Sequence, residues 1–150
     1  MPHTPSPSEA VAAALQETMT DLIDLALQGK QAHWNVYGPH FRSVHLQLDE
    51  VIDDLRLWSD DVAERLVALG GTPDGRTETV SSTTRVEKLD GGQLSTDKVI
   101  RQFDERLTAA AERIRTHLPA LESDLPTQDL LSGVVFGLEK HAWMFRASAS

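Results

Sequence analysis

The sequence predicts an all-α fold, a bundle of four long helices with one long crossover between the second and the third. Apolar residues recur at steps of three and four through four separate segments, the pattern of helices that turn one face to a core. Glycines and prolines part those segments, at Gly38-Pro39, at Gly70-Gly71, and at Pro119 and Pro126. Between Thr72 and Leu94 the chain is rich in Gly, Thr, Ser and Asp and poor in apolar residues. A link of that length between long helices carries the chain from one end of a bundle to the other, where a simple up-and-down path would need only a short loop.

Each element has its own signals. Residues 1–5 read as a short, Pro-rich, flexible tail. Ser6 is the expected cap of the first helix, with Pro7 at the first helical position and Glu9 completing a capping box. Val11, Leu15, Met19, Leu22 and Ala26 form its core stripe, and the next seven-residue step lands on His33. Gly29 weakens this helix by about 1 kcal/mol relative to alanine, and Gly38-Pro39 stops it. The second helix runs from Phe41 to Leu69, about eight turns, on Val44, Leu48, Val51, Leu55, Trp58, Val62, Leu66 and Leu69, and Gly70-Gly71 closes it. A short helix over Thr77 to Thr83 fits inside the crossover. Ser95 caps the third helix, whose buried face is Val99, Phe103, Leu107, Ala110, Ile114 and Leu118, up to Pro119. After the acidic turn 122–126, Thr127 is the expected cap of the fourth, with Leu131, Val134 or Val135, Leu138, Ala142 and Phe145 facing inward.

Composition narrows the function classes. With 150 residues, 40% of them hydrophobic and 25% charged, the chain holds enough for a single domain with its own core over residues 1–150. Cysteine is absent, which excludes a disulfide framework, a thiolate metal site and a catalytic thiol. The first residues carry neither a basic start nor an apolar run, and no stretch approaches about 18 consecutive apolar residues. A soluble, cytoplasmic protein without a membrane partner is expected. A formal charge of −9 argues against binding phosphate backbones and suits a protein that attracts cations.

The chemistry-bearing residues cluster between His33 and Glu64. On the second helix His45 and Asp49, then Asp60 and Glu64, form a polar stripe turned away from the core face. Asp49 and Asp60 are 11 residues apart, roughly 16 Å along a helix, so one helix cannot bring both to one metal. The two pairs are nevertheless symmetric about a point between Asp54 and Leu55. A second copy of the helix laid antiparallel, with a two-fold axis at that point, sets His45 opposite Glu64 and Asp49 opposite Asp60. His33 joins the scheme because it and His45 are symmetric about Pro39, the tip of a helical hairpin. Singly, a histidine on a helix face is more often packed than a ligand, and acids on an amphipathic helix are usually only solvated. Five ligand-type residues made adjacent by one symmetry operation, together with their match to a known motif, reverse that weighting. Imidazole nitrogen with carboxylate oxygen suits Fe, Zn, Mn or Co. The intrachain alternative, a di-iron bundle with two Glu-x-x-His pairs, is excluded because the sequence contains no Glu-x-x-His.

At these residues the sequence resembles the Dps family, the miniature ferritins. The helix-ending His33-Trp34-Asn35, the second histidine twelve residues on at His45, Asp49 four after that, and the Asp60-x-x-x-Glu64 pair match the family pattern. So do Ala63-Glu64-Arg65 before Leu69-Gly70-Gly71, and Glu139-Lys140-x-x-Trp143. The resemblance implies a ferritin-like four-helix bundle and a hollow shell of twelve subunits. It implies that Fe(II) is oxidised, preferentially by hydrogen peroxide, at di-iron ferroxidase sites on two-fold interfaces, with His33, His45, Asp49, Asp60 and Glu64 as ligands and ferric oxide stored inside. It places Asp124 and Asp129 around an iron-uptake pore, for which the plain alternative is favourable charge at a helix N-terminus. Trp34 is expected to pack, with a secondary role as an electron donor, and Trp58 to serve the core or the dimer contact. Lys30 is either an exposed helix lysine or a partner of a nearby carboxylate. His40, His117 and His141 are expected to be structural, and His3 a tail residue. Members that bind DNA use Lys/Arg-rich tails, whereas residues 1–29 here contain no Lys or Arg and only Arg146 follows Lys140, which argues against direct DNA binding. The alternatives are a nucleoid-compacting structural protein and a shell whose interface site binds zinc or supports hydrolysis.

Overall fold

A computed structural model describes residues 6–149. The expectations for residues 1–5, including His3, lie outside the described residues. The elements are α1 (Glu9–Asn35), β1 (Val36–Tyr37), α2 (Phe41–Ala68), α3 (Thr77–Thr83), β2 (Leu94–Ser95), α4 (Thr96–His117), a 3-10 turn (Leu118–Leu121) and α5 (Leu125–Ala147). α1 packs on α2 and α4 on α5, and the crossover that carries α3 joins the two hairpins. Four long helices and the short helix in the long link stand where periodicity and turn chemistry put them. Among the described residues no helix is long and apolar enough to cross a membrane.

The core is the sum of the four stripes. Leu15, Leu48, Leu55, Phe103, Leu107, Leu131, Leu138 and Phe145 are fully enclosed, while Trp58, Leu69 and Leu118 pack at its margin. Burying each large side chain contributes about 1.5–3 kcal/mol, so the stripes, rather than helix propensity, hold the bundle. Gly29 leaves room for Ile52 of α2 against α1: a β-carbon there would stand 2.7 Å from Ile52 Cγ1. Its propensity cost is offset by that contact. α2 ends in a Schellman motif, with Gly70 at φ 89° and the Gly71 N–H donating to the Leu66 carbonyl at 2.9 Å.

Two caps differ from expectation. Ser8, not Ser6, caps α1: its backbone is extended and its hydroxyl accepts from the Val11 N–H at 3.2 Å, so Pro7 precedes the helix. Val11 is the first residue of the buried stripe, and the cap three residues ahead of it sets the helix in that register. At α5 the cap is Asp124, not Thr127. Its carboxylate accepts from the Thr127 N–H at 3.3 Å, and Pro126 lies in the first turn, where a missing N–H leaves no hydrogen bond unmade. The ladder of β1 and β2 was not expected: Val36 pairs with Leu94 and Tyr37 with Ser95, in parallel. It ties the α1–α2 turn to the start of α4.

The polar crossover is anchored by buried charge. Arg106, only 4% exposed, donates from Nε to Gln28 Oε1 and the Glu87 carbonyl, both at 3.1 Å, and from Nη2 to the Lys88 carbonyl at 2.6 Å. Asp21 accepts from the Arg85 N–H at 3.0 Å and from Arg113 Nε at 2.9 Å. Backbone groups that a loop of this composition could not bury unpaired are satisfied by side chains from α1 and α4.

Candidate metal centre

The hairpin of α1 and α2 brings His33, in the last turn of α1, against His45, in the second turn of α2. The rings stack with centroids 3.6 Å apart and planes 12° from parallel, and Phe41 stacks on the far face of the pair at 5.0 Å from His45. Each imidazole is held by the other residue's backbone. His33 Nδ1 lies 2.7 Å from the His45 carbonyl oxygen and His45 Nδ1 lies 2.8 Å from the His33 carbonyl oxygen. A carbonyl only accepts, so both Nδ1 atoms carry the proton. Nε2 is then the nitrogen of each ring left to bind a metal, which an imidazole does in its neutral form.

Asp49 stands one turn beyond His45 on α2. Its Oδ1 accepts from Lys30 Nζ at 2.7 Å and its Oδ2 lies 3.5 Å from His33 Nε2. The Lys30 hydrogen bond, aided by the charges of His33, Lys30 and His45, holds the Asp49 carboxyl below its ordinary range against the opposing effect of burial. Lys30 is thus the carboxylate's partner and not a free surface lysine. It sits three residues before His33, on the same helix face, a relation visible in the sequence.

Asp60 and Glu64 are exposed on the last third of α2 and do not reach this cluster. The chain brings His33, His45 and Asp49 together and leaves the other two apart. Among the described residues no three His, Asp or Glu side chains converge in a geometry that holds a metal ion.

The remaining candidates separate clearly. Asp124 is fully engaged by the Thr127 N–H, the Thr127 hydroxyl at 2.7 Å and Arg65 Nη2 at 3.0 Å, whereas Asp129 is exposed. Burial pushes the Asp124 carboxyl up, but the Thr127 and Arg65 hydrogen bonds and the Arg65 charge outweigh it and hold it below the ordinary range. Trp34 is 70% exposed and does not pack within its own chain, because it lies one residue off the buried stripe that ends on His33. His117 and His141 pair with carboxylates: His117 Nε2 is 2.7 Å from Glu17 and His141 Nε2 is 2.6 Å from Asp54.

Known proteins share this fold. A ferritin-like domain model matches residues 12–149. The DNA protection during starvation protein 2 of Deinococcus radiodurans is 37% identical over 135 residues, 89% of this chain, and the chain spans 56% of that protein's length. The DNA protection during starvation protein of Agrobacterium fabrum is 36% identical over 139 residues, covering 91% of this chain and 86% of that protein. The crystal structure of Dps92 from Deinococcus radiodurans superposes with a TM-score of 0.90 at 36% identity, covering 93% of this chain and 85% of the other. The chain belongs to the Dps family. Dps proteins are ferritin-like, and the general business of the family is iron storage with ferroxidase-type chemistry. This Dps chain sets His33, His45 and Asp49 side by side.

Proposed function

We propose that this protein oxidises Fe(II), preferentially with hydrogen peroxide, and stores the ferric product inside a hollow dodecamer. Each ferroxidase site takes His33, His45 and Asp49 from one subunit, and the partner's Asp60 and the partner's Glu64 across a two-fold interface. The observation that carries the reading is the reciprocal bonding of His33 and His45, which fixes two stacked imidazoles beside a carboxylate held ionised. Two Fe(II) ions give one electron each to hydrogen peroxide; its O–O bond breaks, and with two protons both oxygens leave as water. Sharing the electrons between two metals avoids the one-electron cleavage that would release hydroxyl radical. Asp129, with Asp124 behind it, belongs in this reading to the iron-uptake pore. Protection of DNA is then chemical rather than by coating, since the chain is acidic, at −9, with no Lys or Arg in residues 1–29.

Mixing tests the shared site. One variant lacks the histidines (His33→Ala, His45→Ala) and another lacks the far carboxylates (Asp60→Ala, Glu64→Ala), each inactive alone. In a mixed dimer one site lacks both sets and the other is intact. With random pairing about half the dimers are mixed and half of their sites work, so roughly a quarter of wild-type oxidation returns after co-refolding. No recovery in shells shown to be mixed rules the shared site out.

A further inference from the structure

α2 carries ligand-type residues toward both ends, and its symmetry point lies between Asp54 and Leu55. There the helix is fastened to α5 by two contacts, one turn apart on each helix. Asp54 Oδ2 is 2.6 Å from His141 Nε2, and His141 is only 5% exposed. The other ring nitrogen, Nδ1, is buried without a hydrogen-bond partner, so Asp54 alone orients that imidazole. One turn along, the indole of Trp58 lies over Gly137. A β-carbon on Gly137 would collide with Cζ2 and Cη2 of the Trp58 ring, so only glycine leaves the notch open. The indole also leans on His141, with ring centroids 6.0 Å apart and planes at 57°.

We infer that Asp54, Trp58, Gly137 and His141 form a clamp that fixes the rotation of α2 about its axis and thereby positions both ligand pairs together. This rests on the shared site proposed above. A side-chain tip stands about 5–6 Å from a helix axis, so a turn of about 10° displaces it by about 1 Å. A 1 Å misplacement of a positioned group costs as much as about a hundredfold in rate. Because His45 with Asp49 and Asp60 with Glu64 ride on the same helix, such a turn disturbs both halves of every site at once. The four are positioning residues that touch no substrate.

Co(II) binding to the full-length protein is the probe, read as affinity and as the visible d–d absorption, with size exclusion on every variant. Gly137→Ala is expected to weaken Co(II) binding about tenfold and shift the band. Adding Trp58→Phe, which removes the ring atoms that collide, brings affinity back to within about threefold of wild type. Asp54→Ala weakens binding similarly, while Asp54→Asn, which still accepts from His141 Nε2–H, keeps it; this pair decides the matter if Gly137→Ala does not fold. Binding within about twofold of wild type in folded Gly137→Ala of wild-type size overturns the clamp, as does a double variant that fails to recover. His33→Ala with His45→Ala separates the two readings. If that variant keeps the Co(II) band, the shared site fails and the clamp with it; if it loses the band while Gly137→Ala is unaffected, the site stands and the clamp alone fails.

Discussion

α1 holds two groups of buried polar side chains, and they differ in how completely they are satisfied. Around Asp21 and Gln28 the carboxylate oxygens and amide atoms are taken by Arg85, Arg113, Arg106 and the Glu87 carbonyl. Further along α1, His33 and its neighbour His45 on α2 each spend Nδ1 on a backbone carbonyl, and His33 Nε2 has an Asp49 oxygen beside it at 3.5 Å. Closed networks of buried charge serve the fold, because breaking them strands a charge. A pair whose orientation is fixed while ring nitrogens stay available is a candidate for chemistry.

The largest effect expected from this contrast falls on the closed group. Asp21→Ala strands Arg113 and the Arg85 N–H at a carboxylate site only 6% exposed, and removing one member of a buried pair costs about 3–5 kcal/mol. His45→Ala, by comparison, is expected to lower stability by about 1 kcal/mol yet abolish Co(II) binding. Urea unfolding of both variants measures the difference; a loss below about 1 kcal/mol for Asp21→Ala would remove the distinction.

A smaller effect is expected at Lys30, which lends the open group its one bound cation. Replacing it by methionine frees Asp49 Oδ1 and removes a positive charge from the site. An ion pair this exposed is weak, so divalent-cation affinity should rise by a factor of only about two to five. An unchanged or weakened Co(II) titration means that the Lys30 ammonium does not compete for that carboxylate.

The difference between the two groups also marks what could be read from the sequence. Long stripes at a period of 3.6 located all four long helices, and the symmetry of His33 and His45 about Pro39 placed the imidazoles together. The Ser95 cap was legible, but two other helix starts each offer two capping residues around a proline, Ser6 and Ser8 about Pro7, Asp124 and Thr127 about Pro126; packing of the first apolar residue decides between them. The closed group was not legible at all: Asp21 meets Arg113 across 92 residues and Gln28 meets Arg106 across 78, with no period to connect them. The reciprocal histidine bonds run to backbone carbonyls, which every residue possesses, and so leave no mark in the sequence. Trp34 misled because large aromatics are usually buried, and its exposure is fixed only by its place one residue off the stripe.

The smallest effect sharpens the comparison at the acidic pair before and within α5, where Asp124 is closed and Asp129 open. Asp124→Ala removes an N-cap, which costs about 1 kcal/mol, and frees Arg65. The sign of its pH dependence follows from the direction of its shift. The folded carboxyl titrates below the unfolded value because the Thr127 and Arg65 interactions outweigh burial. Its contribution is therefore fully present above the unfolded carboxylate pKa of about 4, and is lost as pH falls through the lower folded value. The gap between wild type and Asp124→Ala in urea unfolding should be constant from pH 7 to about 5 and close progressively below about 4, and a gap that widens toward acid contradicts this assignment. For iron uptake the order reverses: Asp129→Asn should slow it by more than Asp124→Asn does, because only the exposed carboxylate has oxygens free for a passing cation. Equal slowing by the two variants would mean that Arg65 releases Asp124 during uptake, and that the closed carboxylate is as available as the open one.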